Sequence, residues 1–129
     1  MEPAPIKVLL ADDDEAFVRS LRELIDSQPE LSVVAAAANG VDALDLADTE
    51  DVQAAVIDLH MPLLDGVTTI SRLRQDHPAL CLIVLTGDPD PVLHAAALDA
   101  GADAVLEKRE LAGRLIERLG RLANGEGRT

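Results

Sequence analysis

Short apolar runs alternate with amphipathic stretches along the whole chain. Each apolar run has the length of a buried strand, and each is followed by a segment whose apolar residues recur at helical spacing. This alternation predicts an α/β protein with helices on both faces of a parallel sheet. The predicted strands are Ile6–Ala11, Leu31–Ala37, Ala54–Leu59, Leu80–Leu85 and Ala104–Glu107.

Five helices are predicted between and after these strands. Asp90 and Pro91 are typical of a helix cap and a first helical position, and Gly101 marks the end of that fourth helix. For a doubly wound sheet of five strands, the pattern favours the flavodoxin-like strand order 2-1-3-4-5. The other predicted helices are Glu15–Ser27, Val41–Ala47, Val67–Gln75 and a last one carrying Leu111, Leu115, Ile116, Leu119 and Leu122.

The composition fits one globular domain. Of the 129 residues 48% are hydrophobic, and Phe17 is the sole aromatic residue, so Val, Leu, Ile and Ala must build the core. Cys81 is the single cysteine and is predicted to be a buried core residue. We expect the domain to cover residues 1–123, with residues 124–129 forming a tail or the start of a linker.

The charge and hydropathy of the chain limit its function. A net charge of -13 argues against direct binding to nucleic acid, which requires Lys and Arg to neutralise phosphates. The N-terminus lacks the pattern of a secretory signal, and no apolar stretch approaches the length of a membrane span. A cytoplasmic protein with no membrane contact is therefore expected.

Polar residues follow four of the five predicted strands. In the order 2-1-3-4-5, strands one, three, four and five are neighbours, and ligands bind at the carboxyl ends of such strands. The side chains that follow them should therefore converge. They are Asp12 and Asp13 after the first strand, Asp58 at the end of the third, Thr86 after the fourth and Lys108 after the fifth.

A cluster of carboxylates with one lysine suggests a cation site used in phosphoryl transfer. Mg²⁺ relieves the repulsion among carboxylates, and Asp13 and Asp58 are the expected direct ligands, with Asp12 acting through a water. A carboxylate can also carry a phosphoryl group, while Lys108 and the Thr86 hydroxyl interact with its oxygens. Gly87 leaves room beside them. Each residue alone has a simpler explanation, such as a helix first turn or a strand-end turn.

The chain resembles the receiver domains of two-component response regulators over residues 7–122. The resemblance rests on four segments in the order and spacing of that family and on an Asn39-Gly40 turn. The segments are VLLADDDE, VIDLHMPLLDG, IVLTGD and VLEKRE.

The resemblance implies a role for each matching residue. Asp58 would be the phosphoacceptor, Asp12 and Asp13 the acidic pair that binds Mg²⁺, and the His60 backbone carbonyl a further metal ligand. Thr86 would be the switch hydroxyl and Lys108 the lysine that pairs with the phosphoryl group.

The resemblance also implies partners and an output. A histidine kinase or phosphotransfer protein would supply the phosphoryl group, and the domain would not be an enzyme beyond assisting its own modification and hydrolysis. Output would pass through the face of the fourth helix, fifth strand and fifth helix, to an effector domain or a second copy.

One residue departs from the family pattern, and the roles of several others stay open. Val105 stands where the family usually has an aromatic residue, so an aromatic ring cannot accompany Thr86 in signalling. Asp14 extends the acidic pair and is either a metal neighbour or a helix cap. The side chains of His60 and Asp88 are expected at the pocket rim, where they would modulate hydrolysis. His77 and His94 are expected at the surface or in packing.

Two alternatives remain at this point. A haloacid-dehalogenase-type phosphatase also has an Asp-x-Asp segment, a Thr and a Lys, and it would be labelled on Asp12 rather than Asp58. That family needs another acidic motif on a later strand, and it leaves the HMPLLDG segment without a role. The second alternative is a pseudo-receiver that binds partners without being phosphorylated, which Val105 keeps open.

Overall fold

The computed structural model describes the backbone of residues 4–125 and the side chains of that range except residues 110–112. Its strands form one parallel sheet in the order β2-β1-β3-β4-β5. Both the fold class and the strand order are therefore as predicted. The strands are β1 (Ile6–Ala11), β2 (Leu31–Ala37), β3 (Ala54–Ile57), β4 (Cys81–Thr86) and β5 (Ala104–Glu107).

Five α-helices and one short 3₁₀ turn connect the strands. They are α1 (Glu15–Asp26), α2 (Gly40–Thr49), α3 (Gly66–Asp76), α4 (Pro91–Ala100), the 3₁₀ turn Lys108–Glu110 and α5 (Leu111–Ala123). The predicted bounds are right to within two residues. The end of α2 differs by two, since the helix ends at Thr49 instead of Ala47, with Glu50 as its cap. Leu111, predicted on the apolar face of the last helix, lies outside the described side chains. Residues 126–129, predicted as part of a tail or linker, lie outside the described residues.

The first four helices begin at an Asp or Asn whose side chain accepts a backbone N–H of the first turn, as favoured N-caps do. Asp14, Asn39, Asp65 and Asp90 cap α1, α2, α3 and α4 respectively. The prediction for Asp90 is confirmed. Asp65, the aspartate of the HMPLLDG segment, begins α3 in the same way.

The sheet separates two apolar clusters because successive side chains of a strand point to opposite faces. On one face Val8 and Leu10 of β1 pack with residues of α1 and α5. On the other face Leu9 and Ala11 pack with residues of α2, α3 and α4. Cys81 is buried in the first of these clusters, as predicted.

A partly buried ion pair holds the carboxyl end of α4. The Arg74 guanidinium donates to the Gly101 carbonyl at 3.0 Å and pairs with the Asp103 carboxylate at 2.9 Å. Asp103 in turn accepts the backbone N–H of Leu82 at 2.8 Å. Gly101 has φ +123°, and a Cβ there would lie 2.7 Å from the Arg74 Cγ. The end of α4 is therefore held against α3 and β4.

Candidate phosphoacceptor and metal site

Three carboxylates meet at the carboxyl edge of the sheet. Oxygen atoms of Asp12, Asp13 and Asp58 all lie within 4.8 Å of one another. The order of the strands explains this meeting, since β1 and β3 are paired neighbours and Asp58 continues the ladder by donating its N–H to the Ala11 carbonyl. Asp12 and Asp58 are each 7% exposed, whereas Asp13 is open to solvent.

Lys108 brings a positive charge to the carboxylates from the end of β5. Its Nζ lies 2.7 Å from the Asp12 Oδ2 and 3.7 Å from the Asp58 Oδ2. Burial alone lowers the pKa of Lys108, but the hydrogen bond to Asp12 and the charges of Asp58 and Asp12 outweigh it and raise the pKa above its usual value. Lys108 is therefore protonated in this pocket at neutral pH.

Asp58 is the carboxylate whose ionisation the pocket opposes most clearly. Burial and the neighbouring charge of Asp12 raise the pKa of Asp58, against lowering by Lys108 and by backbone N–H groups of His60 and Leu59. A second cation beside Asp58 would therefore be stabilising.

The three carboxylates fit a divalent metal ion. Mg²⁺ takes oxygen ligands at about 2.0–2.1 Å, so three carboxylate oxygens that all lie within 4.8 Å of one another are close enough to share one such ion. Both Asp12 oxygens already have partners, because Oδ1 accepts the Asp14 N–H at 3.0 Å and Oδ2 contacts Lys108. Asp13 and Asp58 are freer to ligate directly.

Asp14 is separate from this group. It caps α1, where its Oδ1 accepts the Phe17 N–H at 3.1 Å, and it does not belong to the group of three carboxylates found among the described residues. The open question about Asp14 is answered in favour of the helix cap.

Thr86 ends β4, the strand beside β3, and is fully buried. Its Oγ1 accepts the backbone N–H of Asp88 at 3.1 Å. The hydroxyl therefore shapes the loop between β4 and α4. A Cβ at Gly87 would contact only the Lys108 Cδ, at 4.0 Å, so the space predicted beside the site is present.

The rim of the pocket contains contacts that the sequence did not predict. His60 is exposed, as expected, but its Nε2 lies 2.7 Å from the Asp88 Oδ2. His94 is half-buried, with its Nε2 2.5 Å from the Asp88 carbonyl oxygen. His77 is a packing residue whose Nε2 lies 2.9 Å from Asp48. No sequence motif marks these contacts. That of His60 joins residues 28 positions apart, and that of His94 joins α4 to the backbone of the loop before it.

The chain belongs to the response regulator receiver domain family, which matches residues 8–120. The receiver domain of such regulators is a module that assists its own phosphorylation and is not in itself a classical enzyme. The site described above is the acidic pocket typical of these domains, with Lys108 beside it.

Individual relatives agree with this assignment. The chain is 36% identical to the nitrate/nitrite response regulator protein NarP of Escherichia coli (strain K12), over 83% of this chain and 50% of NarP. It is 37% identical to the response regulator MprA of Mycobacterium sp. (strain KMS), over 95% of this chain and 54% of MprA. The chain therefore spans about half the length of these relatives.

A solved structure shows the same architecture. The signal receiver domain of an HD domain-containing protein from Pseudomonas fluorescens Pf-5 superposes with a TM-score of 0.84 at 29% identity, covering 95% of this chain and 96% of that one. The phosphatase alternative is set aside by these matches.

No helix in residues 4–125 combines the length and the apolar character needed to cross a membrane.

Proposed function

We propose that this domain takes a phosphoryl group on Asp58 from a phosphohistidine donor, with Mg²⁺ bound at Asp13, Asp58 and the His60 carbonyl. The observation that carries the proposal is the meeting of three carboxylate oxygens within 4.8 Å beside the Lys108 ammonium. Asp12 acts on the metal through a water, because its two oxygens are engaged by Lys108 and the Asp14 N–H.

The chemistry of the step follows from the charges. An Asp58 oxygen forms a bond to phosphorus while the phosphorus–nitrogen bond of the donor breaks, and the electron pair returns to the donor imidazole. Bound Mg²⁺ supplies neutralising charge to the phosphoryl oxygens. Lys108 is 3.7 Å from Asp58 and supplies a second positive charge to them.

Thr86 links the modified Asp58 to the output surface. Its hydroxyl accepts a hydrogen bond from Asp88 and would donate one to the phosphoryl group, which draws the β4–α4 loop inward. This displacement shifts the equilibrium between two conformations of the face formed by α4, β5 and α5. Val105 is half-buried in this face at the position that is usually aromatic. Because valine has no ring, the shift proceeds without a moving aromatic side chain.

The partners follow from the same chemistry. A histidine kinase or phosphotransfer protein donates the phosphoryl group in the cytoplasm. An effector domain or a second copy receives the signal at the α4–β5–α5 face. A chain of net charge -13 does not contact nucleic acid through this domain. We propose residues 1–123 as the receiver unit, followed by a linker or tail.

The test is phosphorylation by a small-molecule donor. The protein is incubated with Mg²⁺ and phosphoramidate, and its intact mass is measured against an Asp58→Asn variant. We expect the mass of one phosphoryl group on the unmodified protein and none on Asp58→Asn. Peptide mapping after borohydride reduction of the acyl phosphate then identifies the labelled aspartate.

Two outcomes would contradict the proposal. Label on Asp12 would restore the phosphatase interpretation. A protein that binds Mg²⁺ but gains no mass would be a pseudo-receiver, a binding module that works without phosphorylation.

A further inference from the structure

The ammonium of Lys108 lies over the face of the Phe17 ring, with Nζ 4.2 Å from the ring centroid. Phe17 is on the first turn of α1, and Lys108 follows β5. An ammonium at this distance from an aromatic face is attracted by the negative charge that the ring presents there. This contact connects Lys108 to α1, a helix that contributes none of the three carboxylates of the site.

Phe17 is part of the wall of the acidic pocket as well as of the core. It is half-buried against the cluster beneath α1 and α5. Together with Asp12 and Asp58 it also lines a cavity of about 10 Å³. Leucine would fill the same packing position, but only an aromatic face attracts a cation. The whole chain contains one aromatic residue, and it is at this position.

The geometry shows what the ring does for Lys108. Carboxylates attract Nζ from one side, at 2.7 Å for Asp12 and 3.7 Å for Asp58, and the ring supports it from another. Lysine carries its charge on a flexible stem, and this side chain is still 23% exposed. Without the ring, conformers with the ammonium in solvent would gain population.

We propose that Phe17 is a positioning residue for phosphoryl transfer, whose ring face holds the Lys108 ammonium beside Asp58 where the phosphoryl oxygens arrive. The inference rests on the proposed function of Asp58 as phosphoacceptor. It adds a residue of α1 to the groups that prepare the site, and it makes the charge distribution of the ring a determinant of the rate.

Because the chain has one phenylalanine, biosynthetic replacement with fluorinated phenylalanine changes one position only. The series phenylalanine, 4-fluorophenylalanine and 3,4,5-trifluorophenylalanine weakens the negative face in steps while changing ring size little. We expect the rate of Asp58 phosphorylation by phosphoramidate and Mg²⁺ to fall along the series, by about threefold to tenfold in total. The matched control is Lys108→Met, whose slower reaction should not respond to fluorination.

A second readout does not depend on phosphorylation. The ε-methylene protons of Lys108 should show an upfield ring-current shift by NMR, kept in Phe17→Tyr and lost in Phe17→Leu. The phosphorylation rate should follow the same division, with Phe17→Tyr close to the unmodified protein and Phe17→Leu slower.

The outcomes separate this inference from the proposed function. Equal rates along the fluorinated series, or no ring-current shift in the unmodified protein, would overturn the inference alone. An unmodified protein that takes no phosphoryl group would overturn the inference and the proposed function together.

Discussion

The side chains of His60 and Asp88 meet at 2.7 Å and join the loop after β3 to the loop after β4 across the mouth of the pocket. Asp88 makes three further contacts within and beside the second loop. Its N–H donates to Thr86 Oγ1 at 3.1 Å, its Oδ1 accepts from the Asp90 N–H at 2.9 Å, and its carbonyl contacts His94. The Asp90 N–H, followed by His60, lowers the pKa of Asp88, so Asp88 is ionised at neutral pH.

The first prediction concerns the lifetime of the phosphoryl group. His60→Ala or Asp88→Ala should open the mouth of the pocket to water and shorten the lifetime of phosphorylated Asp58 by about fivefold, the equivalent of one hydrogen bond of about 1 kcal/mol. The lifetime is followed by intact mass after the donor is removed. Because the contact of His60 is with Asp88, which also accepts the Asp90 N–H, the double variant should lose no more than Asp88→Ala alone. Additive effects would show that they act separately.

The second prediction separates phosphorylation from output. Thr86→Ala removes the acceptor of the Asp88 N–H, and we expect a loss of about 1–2 kcal/mol in the free energy of unfolding. Asp58 should still be phosphorylated, but the amide NMR shifts of α4 should respond less than in the unmodified protein. Thr86→Ser keeps the hydroxyl and is the control. An unchanged α4 response in Thr86→Ala would exclude Thr86 as the switch.

The third prediction is a dependence of stability on pH. The pKa of Asp58 is raised by folding, chiefly by burial, so the folded protein binds this proton more tightly than the unfolded chain. Its stabilising contribution is complete below the unfolded pKa of about 3.9 and is lost as the pH rises through the raised pKa.

Asp58→Asn should therefore melt at a higher temperature than the unmodified protein at pH 7, and the gap should close near pH 3. The measurement is thermal unfolding with a chelator present, so that no divalent cation compensates the charge. A gap that grows toward low pH would mean that the pocket favours ionised Asp58.

The fourth prediction concerns the close approach of α3 to the phosphoacceptor loop. A Cβ at Gly66 would lie 2.4 Å from the Leu59 Cα and 2.5 Å from the Asp58 carbonyl oxygen, so backbone atoms would have to move. Gly66→Ala should cost about 2–3 kcal/mol of unfolding free energy. Gly120→Ala is the matched control, because nothing lies within 4 Å of its Cβ and alanine should stabilise α5 by about 1 kcal/mol. Denaturant unfolding of both variants provides the test.

Most of the fold was predictable because local and global signals agree. The apolar runs have strand length, and the caps at Asp14, Asn39, Asp65 and Asp90 begin helices next to them. The strand order then brings Asp12, Asp13, Asp58 and Lys108 together, since their positions at strand ends are enough to predict their meeting.

Contacts between side chains were not predictable from spacing. Phe17 matches a core position of an amphipathic helix, and its contact with Lys108 depends on the path that the lysine stem takes from β5. The contact between His60 and Asp88 depends on the shapes of two loops that no strand pairing fixes. The contact of His94 is also not predictable, because its partner is a backbone carbonyl, which every residue has. The sequence therefore predicts only a surface or packing role for His94.

The hydrogen bond from Arg74 to the Gly101 carbonyl holds α4 at its carboxyl end. We expect movement of the loop that contains Thr86 and Asp88 to displace the opposite, amino-terminal end of the helix more than the held end. Val92, which is 75% exposed on the first turn, lies at that amino-terminal end. We therefore expect a change at Asp58 to reach the surface of α4 first at one apolar side chain.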